Sequence, residues 1–197
     1  MQSKPSTKLP VFDVESLSCM LGLAKLHLRA ALHLQLIRDA LTGLYTRRYM
    51  NVSLRRHIHR AARAQRPLAI IVFDLDNFQH FNCAHGPSAG DAVLRELGKF
   101  LLSRVQLGEI PCRIAGGEFL ILLPDTRMET AALFAQQLKV EFAKVSIPHG
   151  KENLRPLDFS IGVAAYPESG TTGESLLQAA EEAMYDVKRR ERVQLLV

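Results

Sequence analysis

The chain has 197 residues, 47% of them hydrophobic and 23% charged, which leaves room for one full domain with a modest extension and excludes wholesale disorder or a fibrous protein. Its longest uninterrupted apolar stretches, such as Leu68–Phe73 and Phe119–Leu123, hold only a handful of residues, far short of the ~20 that cross a bilayer. The net charge of +5, with a pI near 9.3, hints at an anionic partner. It is unevenly spread: no acidic residue lies between Asp39 and Asp74, where Arg47, Arg48, Arg55, Arg56, Arg60, Arg63 and Arg66 stand.

Residues 1–10 are polar with scattered lysines and lack the apolar run of a secretory signal, so a cytoplasmic location is expected. Cys19, Cys83 and Cys112 are odd in number and show no metal-type spacing, which fits reduced thiols. From about Asp13 to Ile37, Val14, Leu17, Leu21, Ala24, Leu28 and Ala31 recur at three- and four-residue steps. That is the seam of a coiled coil, and it predicts a long N-terminal helix that either dimerises or folds back on its own domain. Asp39–Leu44 breaks the pattern with a turn glycine, and Tyr49–Gln65 reads as a basic helix stopped by Pro67.

Leu68–Phe73 is a continuous β-favouring run, expected as a central strand buried on both faces, and it delivers Asp74 and Asp76 at its C-terminal end. Gly86–Gly90 reads as a loop and Asp91–Val105 as a helix. Ile110–Ile114 and Glu118–Leu123 flank the pair Gly116-Gly117 as a β-hairpin. A helix over Thr130–Ala143, a strand over Leu157–Tyr166 and a final helix from Gly173 to about Arg190 complete the order. The expected fold class is α/β or α+β, with one mixed sheet flanked by helices.

Asp74 and Asp76 at the end of a buried strand, with Glu118 after a glycine hairpin able to lie beside it, are what a magnesium–triphosphate site requires. Mg²⁺ takes hard oxygen ligands and leaves its remaining positions to phosphates and water. A pair of solvated strand-end acids accounts for the same residues equally well.

More of the chain then falls into a pattern. Asp39-Ala-Leu-Thr-Gly-Leu-Tyr-Thr-Arg47-Arg48-Tyr49, Phe73-Asp74-Leu75-Asp76-Asn77-Phe78, Asn82, Gly90-Asp91, Arg113-Ile-Ala115-Gly116-Gly117-Glu118-Phe119, Ser160-Ile-Gly-Val163, and Ala183-Met-Tyr185 through Lys188 and Arg192 resemble, in order and spacing, the GGDEF family of diguanylate cyclases. The resemblance covers residues 39 to about 193 and implies a domain over 39–197 after an N-terminal tail and signalling helix over 1–38. It implies a palm-like sheet related to nucleotidyl cyclases and polymerases. Two protomers would each hold a GTP, and each 3′-hydroxyl would attack the other nucleotide's α-phosphorus, giving cyclic di-GMP and pyrophosphate.

Carried over by position, the resemblance implies Asp74 and Glu118 as catalytic carboxylates and ligands of Mg²⁺ or Mn²⁺, with the Leu75 carbonyl as a further ligand. Asn82 and Asp91 match the guanine readers, and Lys188 and Arg192 the residues that hold the β and γ phosphates. Phe78, Gly116 and Gly117 complete the substrate-binding set. The N-terminal stretch also looks like the helix that joins a GAF sensor to such a domain, implying a homodimer through that helix and an upstream sensor or protein partner.

The chain departs from the family pattern at its signature, Ala-Gly-Gly-Glu-Phe. Ala115 replaces the first glycine, and Gly117 stands where Asp or Glu supplies the other principal metal ligand. Glycine replaces neither the charge nor the lone pairs. A loss of about 3–5 kcal/mol of transition-state stabilisation slows turnover by roughly 10² to 10⁴. Gln79 stands where a phosphate-contacting lysine is usual, Cys83 where Asp follows the Asn, and Pro87 where His follows Gly. Gln106-Leu107-Gly108-Glu109 lacks both diagnostic residues of the product-inhibition motif, so feedback binding there is not expected.

Guanine recognition is therefore expected to be better preserved than turnover. A GTP-binding domain with weakened or lost cyclase activity, an active cyclase and a purely structural dimerisation module are the three readings. His80, Cys83 and His85 lack a fourth ligand for a transition metal, and no P-loop sequence is present. The arginine run is expected to be a solvated face serving nucleotide phosphates or an acidic partner, with neither nucleic acid nor membrane as the ligand.

Overall fold

The computed structural model describes residues 37–194, with the backbone alone over 191–194. The expected N-terminal helix lies, but for its last residue, outside the described residues. In chain order the elements are β1 (Tyr45–Thr46), α1 (Arg47–Ala64), β2 (Leu68–Leu75), α2 (Phe78–His85), α3 (Pro87–Arg104), β3 (Ile110–Ala115), β4 (Glu118–Pro124), α4 (Met128–Phe142), β5 (Ile147–His149), β6 (Glu152–Leu154), β7 (Phe159–Tyr166) and α5 (Gly173–Gln194). Five strands form one sheet in the order β1-β3-β4-β2-β7, and β5 pairs with β6 in a separate hairpin. β2 runs antiparallel to both β4 and β7, whereas β1 runs parallel to β3, so the sheet is mixed as expected.

The uninterrupted apolar run of β2 has a physical reason: both of its faces are covered. Ile70 and Val72 pack with Leu120 and Leu122 of β4 against Met50 and Leu54 of α1 and Leu176 and Ala180 of α5. Ile71 and Phe73 face the other way, with Phe119 and Ile121, onto Val93, Leu97, Leu138 and Phe142 of α3 and α4. The Phe73 and Phe119 rings stack at 5.4 Å, and Phe73 is 1% exposed. Removing such a ring costs about 3–5 kcal/mol.

α1 begins two residues earlier than its periodicity predicts, because the Thr46 side chain caps it by accepting from the Tyr49 N–H. It ends at Gln65, whose φ of 50° is left-handed. Its buried side, Met50, Leu54, Ile58 and Ala61, follows helical spacing, and most of the arginines take the outer side. α5 lies directly on β7 because Gly162 has no side chain. A Cβ there would stand 1.9 Å from the Ala180 carbonyl oxygen, so the glycine fixes how closely α5 approaches the sheet.

Two expectations need correction. The stretch Gly86–Gly90 is not a loop: α3 starts at Pro87, a residue suited to a first helical position, and a separate helix, α2, precedes it. The β5–β6 hairpin was not expected either, since its three-residue strands are too short to show alternation.

Candidate functional site

β2 and β4 are paired in register so that Asp74 lies opposite Glu118. Directly opposed residues present their side chains on one face, which here is the α1/α5 side of the sheet. The β3–β4 turn closes over this strand end. Gly116 turns it at a φ of 49°, in the left-handed region, and the buried Gly117 accepts a hydrogen bond from the Leu75 N–H at 3.0 Å. α5 brings Lys188 across the sheet, and its ammonium donates to Asp74 Oδ2. Asp74, Leu75, Phe78, Gly116, Gly117, Glu118 and Lys188 line one cleft of about 540 Å³, together with Gln79 and His80. The cleft thus gathers most of the residues singled out from the sequence.

The turn is held from outside. Arg113 donates from Nε and Nη2 to the Gly116 carbonyl at 3.1 and 3.0 Å, and from Nη1 to Asp39 at 3.2 Å. Asp39 also accepts from the Thr42 N–H at 2.9 Å and the Thr42 hydroxyl at 2.7 Å. Burial alone would raise the Asp39 carboxyl, but the Thr42 hydrogen bonds and the Arg113 charge outweigh it and hold the group below its ordinary range. Asp39, Thr42 and Arg113 had no role assigned from sequence. The signal available was an acid and an arginine in separate motifs, which nothing in their spacing joins.

Asn82 and Asp91 lie beyond this cleft, on α2 and the first turns of α3. Asn82 Oδ1 is buried without a hydrogen-bond partner and abuts Gly90, where a Cβ would come within 1.8 Å of it. Asp91 is half-exposed and pairs with Arg95 one turn on at 3.4 Å. Arg192 falls within α5, where the side chains are not described. Asp76 does not join the cleft: its Oδ1 accepts from Ser160 at 2.8 Å and its N–H donates to Asp158.

The arginine run does not converge on the cleft either. Only its first member, Arg47, lines the neighbouring groove that reaches Glu118. Arg55 pairs with Glu174 and Arg66 with Asp125, and Arg60 sits beside Leu68 and Pro124 at the other end of β2, about 20 Å away by strand rise. Among the described residues no three His, Cys, Asp or Glu side chains cluster as a metal site. His85 stacks on Phe81 instead. Cys83 is exposed, whereas Cys112 is buried, and burial pushes its thiol strongly up. No helix among the described residues is long and apolar enough to cross a membrane.

The fold and cleft define a mixed α/β domain whose central strand pair ends in opposed carboxylates beneath a glycine turn. Residues 36–194 match the family described as "Diguanylate cyclase, GGDEF domain", and the chain belongs to that family. It is 37% identical over 154 residues to the response regulator PleD of Caulobacter vibrioides, an alignment covering 77% of this chain and 34% of PleD. The chain thus spans about a third of that relative's length. A sensory box/GGDEF family protein from Caulobacter crescentus superposes with a TM-score of 0.72 at 34% identity, covering 78% of this chain and 99% of that one. The active GGEEF domain of a diguanylate cyclase from Vibrio cholerae gives 0.67 at 30% identity, covering 74% and 91%. The mixed sheet and flanking helices expected from the resemblance are those of this family.

Proposed function

We propose that this is a domain of cyclic di-GMP signalling that binds GTP with a divalent cation, and whose diguanylate cyclase activity is lost or strongly reduced by Gly117. The observation that carries the reading is the place of Gly117. It packs against the metal-side carboxylate, so that a Cβ added there would stand 3.3 Å from Asp74 Oδ1, and it contributes no acid of its own. The Vibrio cholerae relative, described as active, has Glu at this signature position.

The donor set that remains fits a hard divalent cation, because Asp74 and Glu118 are carboxylates on opposed strand residues. Asp74, Glu118 and the Leu75 carbonyl would hold Mg²⁺ or Mn²⁺. Such an ion neutralises triphosphate charge and lowers the pKa of the attacking hydroxyl. Lys188, with Arg192 beyond it, serves the β and γ phosphates, while Gly116 and Gly117 let the turn backbone approach the nucleotide and Phe78 lines its floor.

Asn82 and Asp91 read guanine. The Asp91 carboxylate can accept from guanine N1–H and the 2-amino group, while the Asn82 amide can donate to the purine acceptors. The domain extends over 39–197. The N-terminal tail and signalling segment, 1–38, would bring two copies together, as the two-GTP reaction demands, and would connect to an upstream sensor or partner.

The test is incubation with GTP and Mg²⁺ or Mn²⁺ while assaying cyclic di-GMP for the native chain, Asp74→Ala and Gly117→Asp. Activity appearing only in Gly117→Asp supports the reading. Robust native synthesis, lost in Asp74→Ala, would establish an active cyclase working with Asp74 and Glu118 alone.

A further inference from the structure

We propose that Lys188 is the resident counter-cation of Asp74, and that it makes binding of a divalent cation at this strand end conditional on a polyphosphate. The inference rests on reading the cleft as a triphosphate site. Lys188 donates to Asp74 Oδ2, and the two side chains are only 20% and 22% exposed, so the pair is largely shielded from solvent. At the inner end of the cleft, where Gly117 contributes no charge, the ammonium already satisfies Asp74. Glu118, opposite Asp74 and lining the same cleft, is exposed. A second cation approaching Asp74 meets the positive charge of Lys188, which disfavours its binding.

The lysine is able to move without the fold moving. Gly162 sets α5 on β7, and from that fixed helix a flexible four-carbon stem carries the ammonium. A polyphosphate in the cleft offers it more negative charge than one carboxylate does. Lys188 then passes from Asp74 to the phosphate, and the bared carboxylate becomes available to a divalent cation. Because the coupling is reciprocal, the cation favours polyphosphate binding to the same degree. An acid at position 117 would add a carboxylate to Asp74 and Glu118 and draw the cation more strongly against Lys188; with Gly117, the Lys188 charge weighs more heavily on whether the cation enters.

The experiment uses the full chain and two probes, each alone. Mn²⁺ binding without nucleotide, followed by electron paramagnetic resonance of the free ion, compares native protein with K188M, K188Q and K188R. Inorganic tripolyphosphate binding in EDTA is followed by calorimetry, and thermal melts verify that each variant is folded. K188M and K188Q are expected to bind Mn²⁺ at least tenfold more tightly than native protein, about 1.4 kcal/mol. K188R should match native, and D74N added to K188M should erase the gain. Tripolyphosphate should bind native protein and lose affinity tenfold or more in K188M.

Equal Mn²⁺ affinities in native, K188M and K188Q would overturn the inference whether or not GTP binds. A tenfold Mn²⁺ gain without any binding of tripolyphosphate or GTP would overturn the triphosphate reading instead, together with the exchange, while the pairing of Lys188 with Asp74 stood.

Discussion

Gly117→Asp tests most sharply how the missing acid shapes the site. The backbone at position 117 is outside the left-handed region, and a Cβ there would stand 3.2 Å from Leu75 Cβ, 3.3 Å from Asp74 Oδ1 and 3.4 Å from Phe78 Cβ. These contacts are tight but need neighbours to give by only a few tenths of an ångström. The cost is mainly electrostatic. Two carboxylates about 4 Å apart repel by up to about 4 kcal/mol at an effective dielectric of 20, and Lys188 on Asp74 offsets part of it.

Without metal, the variant is expected to lose about 1–2 kcal/mol, seen as a fall in Tm of about 3–6 °C. Mn²⁺ should restore most of that loss, because the new carboxylate completes a cation site. Cyclic di-GMP formation, measured chromatographically with GTP and Mn²⁺, should rise by roughly 10² to 10⁴ over native protein. Gly117→Ala isolates the steric component, and should fold with a smaller loss and no gain in product. A Gly117→Asp protein that melts identically with and without Mn²⁺, and makes no more product than native, would refute the assignment of this position.

Three other expectations follow from the same geometry. Gly90→Ala places a methyl within 1.8 Å of Asn82 Oδ1, so Asn82 must swing away; calorimetry should show GTP binding weakened tenfold or more, and unchanged affinity would separate Asn82 from the base. Asp39 has a folded pKa below its ordinary 3.8, so it contributes stability that is present above that value and is lost as pH falls through the lower folded value. Denaturant melts from pH 7 to pH 2 should therefore show a shallower acid loss in Asp39→Asn, which is less stable at neutral pH; parallel profiles would contradict the clamp on the turn. A thiol reagent followed by mass spectrometry should modify Cys83 in native protein and Cys112 only on unfolding, and equal rates at the two would contradict the burial of Cys112.

The sequence exposes the parts of this domain whose physics is one-dimensional. Leu68–Phe73 reads as a two-sided strand because helices cover both faces, and the Gly116-Gly117 pair reads as a hairpin because the turn needs a left-handed residue. The register that sets Asp74 opposite Glu118 is not fixed by either segment alone, since pairing is a property of two strands. α2 escaped notice because its eight residues bury none fully and so lack a clear apolar face. Asp76 looks equivalent to Asp74 in the sequence, yet Ser160 of β7, 84 residues away, claims it. The arginine run reads in the sequence as a solvated face serving nucleotide phosphates or an acidic partner, in part because it precedes β2 in the chain. In space α1 runs back along the strand, so its C-terminal half ends up at the far end.

The most direct test combines two readings on one sample of native protein: calorimetric titration with GTP in Mg²⁺, then quantitation of cyclic di-GMP after prolonged incubation. The expected result is saturable GTP binding with product at least a hundredfold below that of Gly117→Asp. Native turnover equal to that of the variant, or no GTP binding at all, would contradict it.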